Sequence, residues 1–244
     1  QIESFDSLAL TPTSTISGTT ITKYDNTIPS ASDTSSTNGR IPLGTSGKGD
    51  DAHAYSTPSV IKDGDTYKMW YSGHDGATVR IYYATSPDGL TWTKYDNTIP
   101  SNSDTSSTNG RIPLGTSGKG DDVHAYMPSV IKDGDTYKMW YAGSDGSAYR
   151  IYYATSPDGL TWTKYDNTIP SASDTTSTNG RIPLGTSGKG DDAHVYGHTI
   201  IKDGDTYKMW YGGHDGATVR IYYATSPDGL TWTKNDNTTA STCD

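Results

Sequence analysis

TYKMWYSGHDGATVRIYYATSPDGLTWTKYDN, residues 66–97, is the main determinant of the fold, because it returns at residues 136–167 and, barely altered, at residues 206–237. Trp70, Trp140 and Trp210 mark the period, and the segment SPDGLTW is identical in all three copies. A period that runs through most of a chain predicts one repeat domain, since each unit buries its apolar faces against a neighbour.

The repeat divides the 244 residues into one domain with three full units. The chain opens with residues 1–22, which match no other segment, and ends with a tail at residues 235–244. ITKYDNTIP at residues 21–29 repeats the end of a unit, which predicts an N-terminal partial repeat. The units are residues 23–93, 94–163 and 164–234.

Each unit predicts four antiparallel strands and no helix. In the first unit the strands are expected at residues 58–62, 66–73, 80–86 and 90–96, separated by the turns KDGD, HDGATV and SPDG. Four strands per unit, aromatic on both faces, predict an all-β, β-propeller-like fold of three near-identical units of about 70 residues each. Three units are fewer than propellers usually have, so we expect another chain, more of the same polypeptide or open-ended stacking to complete the array.

The second strand of the unit indicates which side chains share a face. Its alternation sends Tyr67, Met69 and Tyr71 to one face and Lys68 with Trp70 to the other. We expect Trp70, Trp92, Tyr82 and Tyr83 to be packing residues of the core.

Composition excludes several classes of function. The net charge is −9 and the lysines are dispersed, which argues against nucleic-acid binding. No apolar run approaches the length of a bilayer-spanning helix, so we expect no membrane span. Abundant Ser, Thr, Gly, Asn and Tyr favour an extracellular or cell-surface protein. Cys243, the one cysteine, leaves no disulfide within the chain.

Each unit also carries a long connection, at residues 30–53, 101–124 and 171–194. Its near-verbatim repetition predicts an ordered element with a short strand at RIPLG, although a flexible Ser/Thr linker remains an alternative.

The combination PSVIKDGDTYKMWYSG and RIYYATSPDGLTWTK resembles blades of the five-bladed propellers of the arabinanase, levansucrase and invertase superfamily, which holds many glycoside hydrolases. SPDGLTW also resembles a shortened Asp-box of sialidase-type propellers. That likeness implies that Asp88, Asp158 and Asp228 hold turns and do not catalyse.

The glycosidases of that superfamily place acidic residues at the starts of the innermost strands, directly or nearly before a proline. The matching positions here are Thr57, Met127 and Gly197, and none is acidic. Glu3, the one glutamate, lies outside the repeats. Since glycoside hydrolysis needs a pair of carboxyl groups, the resemblance implies a non-catalytic relative, with an aspartate pair elsewhere as the open alternative.

A candidate ligand-binding surface follows from strand direction, because the start of the first strand and the HDG turn lie at one end of a unit. Tyr55, Tyr126 and Tyr196 are the best candidates for contact with a ligand. The three predicted clusters are Asp50, Asp51, His53, Tyr55, His74 and Asp75; Asp121, Asp122, His124, Tyr126 and Asp145, with Ser144; and Asp191, Asp192, His194, Tyr196, His214 and Asp215.

These clusters permit a divalent cation, Ca²⁺ with oxygen ligands alone or Zn²⁺ with histidine, although we expect no cofactor. Turn chemistry and Asp–Arg pairing are the favoured alternative, with Arg40, Arg111 and Arg181 as expected partners.

The first hypothesis is therefore a non-catalytic extracellular repeat protein that acts in self-assembly or surface attachment, with self-association as its expected interaction. The alternatives are a carbohydrate-binding propeller with repeated sites for glycans and a glycoside hydrolase of the five-bladed type.

Overall fold

The computed structural model describes residues 13–16, 19–22, 39–100, 107, 109–169 and 179–235. These residues form fourteen β-strands and no helix, and hence no helix long and apolar enough to cross a membrane. Strands β1 (Thr13–Ile16) and β2 (Thr19–Thr22) form a separate antiparallel hairpin. Most of the partial repeat (residues 23–29), the Ser/Thr-rich parts of the long connections and Cys243 lie outside the described residues.

The other twelve strands form three four-stranded antiparallel sheets, one per repeat, in which neighbours along the chain are neighbours in the sheet. We call them sheets 1, 2 and 3. Sheet 1 contains β3 (His53–Asp63), β4 (Thr66–His74), β5 (Val79–Ser86) and β6 (Thr93–Lys94). Sheet 2 contains β7 (His124–Asp133), β8 (Thr136–Ser144), β9 (Tyr149–Ser156) and β10 (Thr163–Lys164). Sheet 3 contains β11 (His194–Asp203), β12 (Thr206–His214), β13 (Val219–Ser226) and β14 (Thr233–Lys234).

The predicted strands are confirmed in number and order, and in sheet 1 two of the four differ in length by more than one residue. β3 begins at His53, five residues before the predicted start, because a β-bulge lets the chain pair on both sides of Thr57. β6 is only two residues long. The backbone N–H groups of Leu90 and Thr91 donate to the Asp88 carboxylate at 2.8 and 2.7 Å, so they are not available to pair with β5.

The same geometry confirms that the SPDG aspartates hold turns. The Ser86 hydroxyl adds a hydrogen bond of 2.9 Å to Asp88, and these donors lower the pKa of its carboxyl to about 2, with the Thr91 N–H the largest contributor. Asp158 and Asp228 accept the equivalent bonds in sheets 2 and 3.

The sheets stack through two chemically different faces. We call the side that carries Trp70, Trp140 or Trp210 the Trp face, and the side that carries Tyr67, Tyr137 or Tyr207 the Tyr face. The Trp face of sheet 1 packs on the Tyr face of sheet 2, and the Trp face of sheet 2 packs on the Tyr face of sheet 3. The predicted alternation of the second strand is therefore confirmed.

The RIPLG segment completes each junction between sheets. The N–H of Ile112 donates to the Ile81 carbonyl at 3.2 Å, and the N–H of Gly110 donates to the Leu160 carbonyl at 2.8 Å. Ile112 is fully buried. The predicted short strand is thus one β-bridge, wedged between consecutive sheets, and Ile182 forms the equivalent bridge with Ile151.

Candidate functional site

One end of each sheet gathers the predicted histidines, and we call it the histidine end. In sheet 1, His53 pairs with His74 across β3 and β4, as the strand directions predict. The two rings stack with centroids 5.5 Å apart, and Tyr55 lies 5.5 Å from His53 and 5.6 Å from His74. Three rings from two strands thus form one aromatic cluster at the histidine end of sheet 1.

The equivalent positions of the other sheets differ in composition. His194 and His214 stack at 5.3 Å in sheet 3, whereas His124 of sheet 2 pairs across the strands with Ser144. Tyr149 belongs to β9 of sheet 2, and its ring also contacts sheet 3, with a centroid distance of 5.1 Å to His194. The three clusters are therefore related by the repeat but are not equivalent.

A pocket of about 330 Å³ opens between sheets 1 and 2 at the histidine end. Its volume lies at the lower limit of ordinary small-ligand sites, which measure about 300–1,000 Å³. The lining contains three tyrosines and two histidines but no carboxyl group. The lining residues are Tyr55, His74, Ala77, Val79, His124, Tyr126, Met127 and Tyr149.

His124 is held in one orientation by the neighbouring sheet. The backbone N–H of Val79 donates to His124 Nδ1 at 3.2 Å, which requires an unprotonated Nδ1 and leaves the proton of the neutral ring on Nε2. Desolvation, with smaller contributions from His74 and Arg80, lowers the pKa of His124. The pocket therefore presents a neutral imidazole at physiological pH.

Tyr126 and Tyr149 supply the aromatic part of the wall that belongs to sheet 2. Their rings meet edge to face at 5.7 Å. Burial, and secondarily the neighbouring Tyr149 and Tyr196, raises the pKa of the Tyr126 phenol, so its hydroxyl stays protonated. The wall combines apolar ring faces with neutral groups that both donate and accept hydrogen bonds.

The first aspartate of each predicted cluster is a framework residue. Asp50 is fully buried and accepts hydrogen bonds from the Tyr71 hydroxyl at 2.8 Å, Lys94 Nζ at 2.6 Å and Asn97 Nδ2 at 2.7 Å. Asp121 has the corresponding partners in sheet 2, and Asp191 is bonded to Tyr211 and Lys234 in sheet 3. These carboxylates join the long connection to the sheet and do not reach the pocket lining.

The second aspartate of each cluster stabilises the turn that precedes it in the chain; these residues are Asp51, Asp122 and Asp192. Asp51 accepts the N–H of Gly47 at 2.7 Å, and the other two accept the N–H groups of Gly118 and Gly188.

The aspartates of the HDG and SDG turns are likewise engaged. Asp75 accepts the N–H groups of Ala77 and Thr78 at 2.9 and 2.7 Å and forms an ion pair with Arg80 at 2.7 Å. Burial acts to raise the pKa of Asp75, but these donors together lower it. Asp145 and Asp215 form the same pair with Arg150 and Arg220.

The arginines that pair with the HDG and SDG aspartates come from the strand that follows each turn. Of the arginines predicted as partners, Arg111 and Arg181 contact Asp96 and Asp166 at 3.4 and 3.2 Å, because the chain brings them beside the end of the preceding repeat. No group of three or more His, Cys, Asp or Glu side chains suited to a metal ion occurs among the described residues.

The sequence alone does not indicate four of the lining residues: Ala77, Val79, Met127 and Tyr149. Met127 occupies one of the matching positions that are not acidic, and it lies at a bulge with φ of 52°. Tyr149 replaces the valine found at positions 79 and 219, so this departure from the repeat was the available signal.

No family model matches the chain. Two uncharacterized proteins of Mycobacterium tuberculosis, from strains CDC 1551 and H37Rv, are each 40% identical to it over 119 residues. The match covers 46% of this chain and 34% of each relative, so this chain spans about a third of the length of the curated relatives it matches.

Solved structures are similar over most of the chain. A family 117 glycoside hydrolase of the marine bacterium Zobellia galactanivorans has a TM-score of 0.60 and 17% identity, over 82% of this chain and 60% of that one. A glycosyl hydrolase from Bacteroides ovatus has a TM-score of 0.51 and 20% identity, over 76% of this chain and 50% of that one. These likenesses show the fold, which is all-β and of the propeller type found in glycoside hydrolases.

Proposed function

We propose that this chain is a non-catalytic carbohydrate-binding propeller whose site is the pocket between sheets 1 and 2. The observation that carries the proposal is the pocket lining, which pairs three tyrosine rings with two histidines, one of them the neutral His124, and contains no carboxyl group. A sugar ring presents apolar C–H faces and many hydroxyls, which match aromatic faces flanked by groups that donate and accept hydrogen bonds.

Separate observations on the acidic residues support the non-catalytic part of the proposal. The positions that match the acidic residues of the superfamily, Thr57, Met127 and Gly197, are not acidic. The aspartates nearest the pocket are bound in turns or in ion pairs. A glycosidase needs one carboxyl group with a raised pKa beside the leaving oxygen, whereas the pKa of Asp75 is lowered.

The fold supports a carbohydrate-related role without identifying a ligand. The similar solved structures are glycoside hydrolases. Composition alone supports the extracellular location that we include in the proposal. Self-assembly, the other hypothesis, depends on different residues, which lie on the outer faces of sheets 1 and 3.

A glycan array probed with the labelled chain tests the proposal, followed by calorimetric titration of the glycans that bind. We expect Tyr55→Ala to weaken binding about tenfold, equivalent to about 1.4 kcal/mol, because the ring forms one wall of the pocket. Tyr95→Ala is the matched control, since Tyr95 has a similar exposed fraction, 40% against 43%, and is not a lining residue.

Three results would contradict the proposal. Two concern binding: an array without any bound glycan, and binding that Tyr55→Ala and Tyr95→Ala weaken equally. The third concerns catalysis alone: sustained turnover of aryl furanoside or pyranoside substrates by the purified chain would show that it is an enzyme.

A further inference from the structure

The Trp face of sheet 3 has the side chains of an interface, but no sheet among the described residues packs against it. Trp70 and Trp140 are fully buried under the next sheet, whereas Trp210, in the same KMWY segment, is 37% exposed. Ile81 is also fully buried, while its equivalent Ile221 is 71% exposed. Ile201 and Val219 extend this surface, which is an apolar patch on the described part of the chain.

The Tyr face of sheet 1 is the complementary surface. Val130 of sheet 2 is 4% exposed because sheet 1 covers it, and its equivalent Val60 is 45% exposed. A Cβ added to Gly159 would lie 3.1 Å from the Trp70 ring, but at Gly89 the nearest atoms belong to Tyr67 of the same sheet. This face thus offers a position for a tryptophan that no ring of the described residues occupies.

Polar side chains at the rim of each junction between sheets show the same difference between inner and outer faces. Asp63 of sheet 1 accepts hydrogen bonds from Lys132 Nζ at 2.6 Å and from the Tyr137 hydroxyl, both of sheet 2. Asp133 is bonded in the same way by Lys202 and Tyr207 of sheet 3. Asp203 of sheet 3 pairs with Lys208 of its own sheet, and its side chain remains 64% exposed against 21% for Asp63.

The donors that Asp203 lacks are already arranged on sheet 1. Lys62 Nζ lies 5.4 Å from the centre of the Tyr67 ring. The corresponding distances are 5.3 Å for Lys132 and Tyr137 and 5.4 Å for Lys202 and Tyr207. Both of these pairs donate hydrogen bonds to an aspartate of the preceding sheet. The outer Tyr face therefore has the arrangement that binds an aspartate inside the molecule.

We propose that the Trp face of sheet 3 binds the Tyr face of sheet 1 of a second copy of this chain. The interface continues a contact that the molecule already makes twice, with the same residue types on both sides. In it, Lys62 and Tyr67 of the second copy contact Asp203, and the Trp210 ring packs on Gly89 of the second copy. Such a head-to-tail contact is heterologous, so it closes a ring or extends as a filament.

The mass of the intact chain over a concentration series tests this interface. We expect sedimentation and light scattering to give masses above the 26.2 kDa of one chain as concentration rises. Ile221→Asp on one face and Val60→Asp on the other should each reduce the mass to that of a single chain. Val123→Asp is the control, because Val123 is 37% exposed and lies before β7, on neither outer face.

Mixing the two variants separates this arrangement from the alternatives. Ile221→Asp retains an intact Tyr face and Val60→Asp an intact Trp face, so an equal mixture should form a dimer that cannot grow. If Val60→Asp alone still dimerises, the contact joins two Trp faces and the proposal is wrong. A wild-type chain that keeps the mass of one chain throughout also overturns it, and leaves a further repeat of a longer polypeptide as the occupant of the face.

Discussion

A single histidine gives the chain a predicted sensitivity to acid. His198 is buried beside the backbone of Trp140, at the position where the other two repeats have Pro58 and Pro128. Burial lowers the pKa of His198 from 6.5 to about 4, and contact with the Trp140 backbone opposes only part of the effect. The ring is therefore neutral in the folded protein at a pH where the unfolded chain binds a proton.

The sign of the effect follows from that difference. Above pH 6.5 His198 does not lower the free energy of unfolding. As the pH drops from 6.5 toward 4, protonation of this histidine in the unfolded state lowers that free energy progressively, and below pH 4 the loss stays constant. We expect the free energy of unfolding to be about 2 kcal/mol lower at pH 5 than at pH 7, because protons bind the unfolded state. Urea unfolding at the two pH values measures this change, and His198→Pro, the residue of the other repeats, should remove most of it. An equal loss in wild type and variant would exclude His198 as the cause.

Backbone strain at the bulge within β3 predicts a stabilising substitution. Thr57 has φ of 75°, in the left-handed region, where a β-branched residue is disfavoured by about 1–2 kcal/mol. Gly197 occupies the equivalent position in sheet 3 with φ of 61°. We expect Thr57→Gly to raise the free energy of unfolding by about 1 kcal/mol, because relief of this strain exceeds the entropic cost of glycine.

The reverse substitution is the control for this prediction. A Cβ added to Gly197 meets no atom within 4 Å, so Gly197→Ala tests the backbone alone. It should lower the free energy of unfolding by about 1 kcal/mol in the same urea titration. A destabilised Thr57→Gly together with an unchanged Gly197→Ala would show that these φ values carry no strain.

At the scale of the element, each sheet depends on one buried aspartate. Asp121 binds Lys164 of β10 at 2.7 Å and the Tyr141 hydroxyl of β8 at 2.8 Å, and so joins the long connection to two strands. Asp121→Ala leaves the buried ammonium of Lys164 without its counter-charge. We expect a loss of about 3–5 kcal/mol in the free energy of unfolding, which calorimetry or urea unfolding will detect.

Asp135 provides the comparison, because it is exposed in the KDGD turn of the same sheet. Asp135→Ala should change stability by less than about 0.5 kcal/mol. Similar losses for the two variants would argue that the buried ion pair contributes no more than a surface charge.

The elements themselves could be predicted from the sequence, because their determinants are local. Alternation in TYKMWYSG fixes which side chains share a face, and the SPDG aspartates act within their own turns. The role of Asp50 could not be predicted, since its partners Lys94 and Asn97 lie more than forty residues along the chain. The same limit applies to the pocket, whose two walls come from different repeats.

At the scale of the molecule, identical sequences have different environments. The segment KMWY occurs at Trp70, Trp140 and Trp210, yet two of these rings are buried and one is partly exposed. No local pattern encodes that difference, because burial here depends on whether another sheet follows. Sequence therefore predicts the unit and its faces, and position in the stack decides which faces remain open.

This difference predicts unequal costs for one substitution at equivalent positions. Trp140→Ala removes a ring that packs on Tyr207 and Trp232 of the next sheet, and we expect a loss of about 3–5 kcal/mol in the free energy of unfolding. Trp210→Ala removes a partly exposed ring without those neighbours in its own chain, so its cost should be about 1–2 kcal/mol. Both are best measured with Val60→Asp also present, so that association does not cover Trp210.

Hydrogen exchange of the same proteins gives an independent reading of the stack. In an array of repeats, stability is the sum of the units and of the contacts between neighbours. Sheet 2 is covered on both faces, so amides of β8 should exchange most slowly, and those of β13 faster than their equivalents in β9. In wild type at high concentration, slowed exchange confined to β13 and to β3 would indicate that both outer faces are covered. Uniform exchange across the three sheets would instead indicate that the stack unfolds as one unit. The exposed face of sheet 3 would then not lower the local stability of that sheet.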